Sequence, residues 1–245
     1  MEAEIRVLVV DDSVVVRSII ADSITAESGM RVVGTASDGQ QALAILQSVR
    51  PDVVTLDVQM PNMDGLATLD AILNQYPVPV IMVSSLTKAG AEITLDALDR
   101  GALDFLAKPD YGAKTRAVLL EELPRKIRMA AGTDVRRLLA IRKQRGARPV
   151  ERVAPRPASP ETTPGGGAQA CADRCVVIGI STGGPPALAH LFSTLSPPMP
   201  PIVVVQHMPP SFTKPLAWRL DSLSALTIRE AAHGDVLEPN SVLLA

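Results

Sequence analysis

The chain opens with a nearly continuous apolar run, Ile5-Arg6-Val7-Leu8-Val9-Val10, which stops at the two carboxylates Asp11 and Asp12. Such runs are typical of parallel strands that are buried on both faces. Similar runs lie at 31–35, 53–57, 78–84 and 104–107, with helix-like segments between them, such as Gly39–Val49 after the N-cap Asp38 and Ala91–Arg100 before Gly101. This alternation predicts an α/β domain with a doubly wound, parallel five-stranded sheet.

The same alternation restarts after residue 173. The pattern predicts strands at 174–180 and 202–206, helices at 186–195 and 212–220, and a further strand that begins at Ser241. We therefore expect a second α/β unit with a parallel, Rossmann-like sheet. An α/β domain usually needs ~100–150 residues to cover a sheet on both faces. Because the span from Arg174 to Ala245 is shorter, we expect only the N-terminal part of that domain here.

Composition and charge exclude several classes of protein. Of 245 residues, 47% are hydrophobic and 20% are charged, as in globular proteins, and two cysteines are too few for a disulfide scaffold. A net charge of −2 gives no case for nucleic-acid binding. No apolar run approaches the ~18 residues of a membrane span, and carboxylates interrupt the first run where a signal peptide would be apolar. We expect a cytoplasmic protein without membrane insertion.

The charges are distributed unevenly along the chain. Residues 1–124 carry 9 basic and 18 acidic side chains, residues 125–156 carry 11 and 2, and residues 157–245 carry 4 and 6. Prolines and a triple glycine follow the basic segment, which is typical of an extended linker. We predict domains at 1–124 and 173–245 joined by a linker at 125–172. The apolar spacing over 115–144 predicts one last helix that runs into this linker, and its basic face is more often solvated than bound to an acidic partner.

Polar side chains stand where four of the first five predicted strands end. Asp11 and Asp12 follow the first strand, Asp57 ends the third, Ser84 the fourth, and Lys108 follows the fifth. Each alone has an ordinary explanation, as a helix cap or a strand-exit turn. Together they predict a cluster at the carboxyl edge of the sheet, where Mg²⁺ offsets the repulsion between carboxylates. This set suits phosphoryl transfer onto Asp57 as nucleophile.

The motifs that carry these residues resemble those of response-regulator receiver domains, which have the flavodoxin-like fold. They are Val9-Val10-Asp11-Asp12-Ser13, Leu56-Asp57, Met60-Pro61, Met63-Asp64-Gly65, Val83-Ser84-Ser85 and Lys108-Pro109, and the resemblance covers about residues 4–125. It implies that a histidine kinase phosphorylates Asp57. It also implies that Asp12, Asp57 and the backbone carbonyl of Gln59 bind Mg²⁺ with help from Asp11.

The resemblance also implies a switch that responds to phosphorylation. Ser84, Lys108 and Phe105 occupy the positions of the switch residues. Phe105 lacks the hydroxyl of the tyrosine that is commoner there, so it could respond to phosphorylation only through the packing of its ring. The alternative is that Phe105 is an ordinary core residue.

A serine in a glycine-rich turn marks the second unit. The segment Gly179-Ile180-Ser181-Thr182-Gly183-Gly184 lies between a predicted strand and a predicted helix and matches G-x-S-x-G. On spacing alone, a hydrolase elbow and a phosphate-binding loop are equally good interpretations. His207 favours the hydrolase, because it ends the next predicted strand and can act as general base for Ser181. His190 and His233 are expected to be structural or solvated.

A catalytic triad also needs an acid that orients the imidazole. Four acids follow His207, and none of them is predicted to end an apolar strand: Asp221, Glu230, Asp235 and Glu238. Each is interpreted as an ordinary surface charge.

The combination of a receiver domain, a linker and the segments Gly-Ile-Ser-Thr-Gly-Gly and Val-Val-Gln-His-Met-Pro-Pro resembles the chemotaxis response regulators of the protein-glutamate methylesterase (CheB) family. The resemblance implies that Ser181 is the nucleophile, that His207 is the base and that Thr182 lies beside them. The implied reactions, which need no cofactor, are hydrolysis of glutamate methyl esters and deamidation of glutamines on the cytoplasmic domains of chemoreceptors.

Two alternatives to an active methylesterase stay open. The triad aspartate of the family lies in a motif beyond the last residue, so one alternative is a phosphoryl-accepting receiver with an inactive, truncated output domain. A DNA-binding response regulator is the other alternative. The basic segment 125–156 supports it weakly, but no helix-turn-helix pattern follows, and the turn around Ser181 would have no explanation.

Overall fold

The computed structural model describes residues 4–85, 87–108, 113–146 and 174–245. The chain divides into two compact units, Met1–Arg145 and Gly146–Ala245, which are treated separately below. Pro109 and most of the predicted linker lie outside the described residues. None of the described helices is both long enough and apolar enough to cross a membrane.

The first unit alternates strands and helices as the sequence predicts. Its elements are β1 (Ile5–Val10), α1 (Val14–Thr25), β2 (Met30–Ala36), α2 (Gly39–Val49), β3 (Val53–Asp57), α3 (Gly65–Gln75), β4 (Val80–Ser84), α4 (Lys88–Arg100), β5 (Asp104–Ala107), α5 (Ala113–Ala131) and α6 (Val135–Gly146). The five strands pair in parallel in the order β2-β1-β3-β4-β5, which confirms the predicted doubly wound sheet.

The sheet order determines where a ligand can bind. The chain passes from β1 outward to β2 and then crosses to β3 on the other side of β1. Ligands of open α/β sheets bind outside the carboxyl ends of the strands at this switch point. Beneath it, aliphatic side chains of the central strands pack against α1 and α5 in one core cluster: Val7, Val9, Val53, Ile81, Val83, Ile20, Ile24, Leu119, Leu123 and Ile127.

Side-chain caps set the starts of the helices in this unit. The Asp38 carboxylate accepts a hydrogen bond from the backbone N–H of Gln41, as expected for the predicted N-cap. The hydroxyl of Thr87 accepts from the N–H of Gly90, so α4 begins at Lys88 rather than at Ala91. The fourth strand begins at Val80 rather than at Val78, because Pro79 has no N–H to offer the sheet.

The predicted single helix over 115–144 is wrong. The structure has two helices, and a break at residues 132–134 separates α5 from α6. The Asp134 carboxylate accepts from the N–H of Arg137 and caps the second helix. The charge step at residue 124 does not interrupt α5, which continues to Ala131 because Ile127 and Ala130 pack in the core while Arg125 and Arg128 are exposed.

The second unit contains β6 (Val176–Ile180), α7 (Gly184–Thr194), β7 (Ile202–Gln206), α8 (Pro210–Leu223), β8 (Thr227–Glu230) and β9 (Ser241–Leu244). The four strands pair in parallel in the order β6-β7-β9-β8, which confirms a second parallel α/β unit. The sequence misses β8, because this short strand at the sheet edge buries only Ile228 and its other residues are polar. Val177 and Val205 are exposed.

Candidate functional site

The carboxyl edge of the first sheet brings together the residues that the sequence places at strand ends. Asp57 ends β3 and is buried, Asp11 follows β1 and is buried, and Asp12 is exposed. Carboxylate oxygens from all three lie within 4.8 Å of one another. Two backbone N–H groups orient the buried pair: Ser13 donates to Asp11 Oδ1 at 2.9 Å, and Gln59 donates to Asp57 Oδ1 at 3.1 Å.

Lys108 lies against these carboxylates. Its Nζ is 2.6 Å from Asp57 Oδ2, 3.1 Å from Asp11 Oδ2 and 3.8 Å from Asp12 Oδ1. Its backbone N–H donates to the carbonyl of Ser84 at 2.7 Å, which continues the pairing of β5 with β4 and fixes the start of the side chain. A single ammonium therefore offsets part of the repulsion among three carboxylates.

Burial shifts the titration of this cluster. Desolvation raises the pKa of Asp57 to about 6, although the hydrogen bond from Lys108 opposes the shift. Desolvation also raises the pKa of Asp11, against the charge of Lys108. Burial alone would lower the pKa of Lys108, but the hydrogen bond to Asp57 and the charge of Asp11 outweigh it and raise that pKa. The carboxyl of Asp57 thus ionises at a pKa of about 6, well above its usual range.

Gly65 allows α3 to begin in close contact with the backbone of Asp57. A Cβ on Gly65 would lie 2.2 Å from the backbone oxygen of Asp57, closer than any real contact. Without a side chain, Gly65 instead donates its N–H to the carbonyl of Val58 at 3.0 Å, and Asp64 caps α3 through the N–H of Ala67. The Met63-Asp64-Gly65 motif thereby places the first residue of α3 next to the backbone of Asp57 and Val58.

The three residues implied as a switch lie near this edge. Ser84 is fully buried, and its hydroxyl donates to the carbonyl of Gly90 in α4 at 3.2 Å. Phe105 is 5% exposed, and Lys126 Nζ lies 5.8 Å from its ring centroid. Lys126 itself forms a buried ion pair with Asp104 at 2.8 Å, a contact that the sequence reasoning missed. The structure thus places the ring in the core beside a buried charge pair.

The donor set fits a hard divalent cation. Such cations prefer carboxylate and carbonyl oxygens, and Mg²⁺ binds through one or two carboxylates with water. Asp12 offers a partly exposed carboxylate at the mouth of the cluster, and Asp11 and Asp57 offer buried ones. Receiver domains generally bind Mg²⁺, and this acidic cluster stands at the corresponding edge of the sheet.

The second unit brings Ser181 and His207 together. The two residues follow β6 and β7, which are adjacent and parallel, with Ile180 paired to Gln206. The N–H of His207 donates to the carbonyl of Ile180 at 3.0 Å, which extends this pairing by one residue. Ser181 Oγ lies 3.4 Å from His207 Nδ1. Catalytic hydrogen bonds of this length are common before substrate binds.

The turn after Ser181 bears on whether the site is a hydrolase elbow or a phosphate-binding loop. A phosphate site at a helix N-terminus needs several backbone N–H donors. Here the N–H of Gly184 donates to the carbonyl of Ser181 at 2.8 Å, and the next two residues of α7 are Pro185 and Pro186, which have no N–H. The first turn of α7 therefore offers few donors to a phosphate, which favours the hydrolase. Gly183 has a φ of +74°, a left-handed conformation that favours glycine.

The structure accounts for three of the four acids that follow His207. Asp221 accepts from the N–H of Ile228 at 2.7 Å, and Asp235 pairs with Arg229. Glu230 is the last residue of β8, a short strand in which Ile228 is the one apolar residue. Glu230 accepts a hydrogen bond from the hydroxyl of Thr213, and β9 lies between its strand and β7. His190 and His233 are exposed.

Family models match both units. The response regulator receiver domain matches residues 7–118, and the CheB methylesterase model matches residues 176–245. A receiver domain solved from the CheB protein of Thermotoga maritima is 46% identical and covers 54% of this chain and 98% of its own, with a TM-score of 0.49. The chain thus combines a response regulator receiver domain with a segment that matches the CheB methylesterase model.

Full-length relatives extend the match over nearly the whole chain. Protein-glutamate methylesterase/protein-glutamine glutaminase of Archaeoglobus fulgidus is 43% identical over 98% of this chain and 65% of its own length. The proteins of Thermotoga maritima and Dechloromonas aromatica are 45% and 42% identical and are covered to 66% and 67%. This chain belongs to the protein-glutamate methylesterase/protein-glutamine glutaminase (CheB) family, and it spans about two thirds of the length of these relatives.

Proposed function

We propose that this protein is a chemotaxis response regulator in which phosphorylation of Asp57 activates hydrolysis of glutamate methyl esters and deamidation of glutamines on chemoreceptors. The observation that carries the proposal is the contact between Ser181 Oγ and His207 Nδ1 at the ends of adjacent strands, inside the segment that matches the methylesterase model. The partners are a chemotaxis histidine kinase and methylated receptor cytoplasmic domains, which places the protein in the cytoplasm.

In the receiver half, the Asp57 carboxylate attacks the phosphorus of a phosphohistidine, and the P–N bond to the kinase breaks. Asp12, Asp57 and the backbone carbonyl of Gln59 would hold Mg²⁺, with Asp11 assisting. When bound, this ion offsets negative charge on the transferring group. Lys108, already 2.6 Å from Asp57 Oδ2, stabilises the same charge from the side of β5. Ser84 and Phe105 reposition once the phosphoryl group is in place.

In the output half, Ser181 Oγ attacks the ester carbonyl while His207 accepts its proton. The tetrahedral intermediate collapses, methanol leaves with that proton, and water then hydrolyses the glutamyl-serine ester by the reverse proton path. A glutamine side chain would release ammonia in place of methanol. Thr182 lies next to the nucleophile. We assign the receiver to residues 1–124, the linker to 125–172 and the output domain to 173–245.

The test measures methanol release from receptor membranes that carry radiolabelled methyl esters, with the 245-residue chain and with acetyl phosphate and Mg²⁺ as the phosphorylating system. Release that is stimulated by phosphorylation, lost in Ser181→Ala and unstimulated in Asp57→Ala supports the proposal. If Asp57 is phosphorylated but no methanol is released, the chain is instead a phosphoryl-accepting receiver with an inactive output domain.

A further inference from the structure

Gln206 is a buried polar residue between the two reacting side chains of the second unit. It is the last residue of β7, it directly precedes His207, and it is 5% exposed. Its Nε2 lies 3.1 Å from the backbone oxygen of Ser181 and 3.2 Å from the backbone oxygen of His207. One side-chain amide therefore contacts the main chain of both members of the pair.

The chemistry of these contacts fixes the orientation of the amide. Both backbone oxygens can only accept hydrogen bonds, so the NH₂ group of Gln206 must face them, with one hydrogen for each. The carbonyl of Ser181 also accepts from the N–H of Gly184, so the turn is held from two directions. Without the amide, the carbonyl of Ser181 would keep the bond from Gly184 alone, and the carbonyl of His207 would lose the bond from Gln206.

The backbone of Gln206 is itself fixed by the sheet. It pairs in register with Ile180 on β6, and its N–H donates to the carbonyl of Ala245 at 2.9 Å beyond β9. The side chain thus extends from the centre of the sheet toward the turn that carries Ser181. A rigid strand is a more accurate support for a reacting geometry than the turn alone.

Gly184 leaves the space that this amide occupies. A Cβ on Gly184 would lie 1.9 Å from Gln206 Oε1 and 2.8 Å from its Cδ. The backbone of Gly184 has no left-handed φ, so alanine is sterically allowed there apart from this clash. The second glycine of the turn is therefore explained by the glutamine. Any larger residue must push the amide away from the two carbonyls.

We propose that Gln206 is a positioning residue that holds the main chain of Ser181 and of His207 so that Oγ and Nδ1 meet. This inference rests on the proposed esterase function. A displacement of about 1 Å in a reacting pair can cost on the order of 10²-fold in rate. Gln206 makes its two contacts through backbone oxygens, so its role is to set a distance and not to exchange protons with the substrate.

The experiment measures the rate at which a fluorophosphonate probe modifies Ser181 in the full chain, with the adduct located by mass spectrometry. Gln206→Met keeps the length of the side chain but removes both donors, and Gly184→Ala displaces the amide without changing it. Both should slow the reaction by about 10–10²-fold. Gly132→Ala, in the first unit, is the matched control, because a Cβ there meets only the backbone oxygen of Met129 at 3.9 Å, and its rate should stay at the wild-type value.

Gln206→Glu tests positioning through the pH dependence of the reaction rate, which a purely structural role of Gln206 would not change. A buried glutamic acid that keeps its proton still donates one hydrogen bond, whereas the carboxylate would face two carbonyl oxygens and repel them. The ratio of the variant rate to the wild-type rate should therefore rise toward acidic pH, while the same ratio for Gln206→Met stays flat. Amide NMR signals of β6 and β7 report whether the second unit is folded.

The outcomes separate this inference from the function on which it rests. If wild-type Ser181 does not react with the probe, the proposed esterase function fails. If the wild type reacts and folded Gln206→Met and Gly184→Ala react equally fast, or if the Gln206→Glu ratio is flat with pH, the positioning role is overturned. Loss of the folded-state NMR signals of β6 and β7 in all three variants would also overturn it, because Gln206 would then be needed only for folding.

Discussion

The two candidate sites stand at the same place in their sheets, yet they differ in almost every physical respect. The Asp57 cluster has three carboxylates and an ammonium, draws on three strands, and keeps Asp11 and Asp57 buried. The pair of Ser181 and His207 draws on two strands and forms an exposed contact. Burial raises the pKa of Asp11 and Asp57 in the first site, whereas hydrogen bonds to the main chain hold the geometry of the second.

This difference predicts that the two sites fail in different ways. Changes at the acidic cluster should alter pH dependence and stability, because buried charge is energetically costly. Changes at the serine site should alter reaction rate with little effect on stability, because few buried charges are involved.

Ser181→Ala should lower ester hydrolysis by about 10⁴–10⁶-fold, because loss of a nucleophile removes the covalent route and leaves only binding and electrostatic stabilisation. Phosphorylation of Asp57 by acetyl phosphate should be unchanged. Methanol release and phosphoprotein yield measured on one preparation check both parts. Ser193→Ala, an exposed serine of α7, is the control. Hydrolysis that survives in Ser181→Ala would show that another residue is the nucleophile.

Lys126→Met should lower the free energy of unfolding of the first unit by about 3–5 kcal/mol, because it leaves the buried Asp104 without its partner. The double variant Lys126→Met with Asp104→Asn should recover most of this loss, since no unpaired charge remains buried. Urea unfolding followed by circular dichroism measures both. A double variant as unstable as the single one would show that packing, and not charge, dominates at this pair.

The Lys126–Asp104 pair also shows which contacts could be predicted from the sequence and which could not. Residues at strand ends could be predicted to converge, because parallel strands bring their carboxyl ends to one edge whatever the packing details. Thus Asp11, Asp57 and Lys108 could be expected to meet, as could Ser181 and His207. The ion pair of Lys126 with Asp104 joins a helix to a strand 22 residues away, and no local spacing marks it.

Three further features depend on packing that no local pattern records. The break between α5 and α6 follows from the cap at Asp134, which competes with a helical spacing that continues on both sides. The strand β8 forms because β9 pairs with it, although its own sequence is mostly polar. The role of Gly184 emerges only when the side chain of Gln206, from another strand, is seen to occupy the space beside it.

Asp57→Asn should raise the free energy of unfolding at pH 7, measured with Mg²⁺ chelated. In the folded state the pKa of Asp57 is about 6, above the value of 3.8 for an unperturbed carboxyl, so the folded protein binds this proton more tightly than the unfolded chain does. The wild type therefore loses stability as pH rises from about 4 through 6, by at most about 3 kcal/mol in total.

The asparagine variant lacks this titration, so its advantage over the wild type should grow between pH 4 and pH 7 and then level off. Urea unfolding at several pH values, followed by amide NMR signals of β1 and β3, measures the difference. Asp52→Asn serves as the control, because Asp52 is an exposed carboxylate of the same unit. A pH-independent difference between Asp57→Asn and wild type would mean that burial does not raise the pKa of Asp57.

Lys108→Ala should slow phosphorylation of Asp57 by acetyl phosphate at pH 7 by about 10–10²-fold, the smallest of these effects. Two causes act in the same direction. Without the ammonium 2.6 Å away, the pKa of Asp57 rises further, so less of the nucleophile is ionised, and the charge on the transferring group loses a partner.

The first cause disappears at high pH and the second does not. The deficit of the variant should therefore shrink as pH rises from 6 to 9 but not vanish, whereas Lys214→Ala, an exposed lysine of the second unit, should show none. A deficit independent of pH would assign Lys108 entirely to stabilising the phosphoryl group, and the acidic cluster would then resemble the serine site in depending on geometry more than on ionisation.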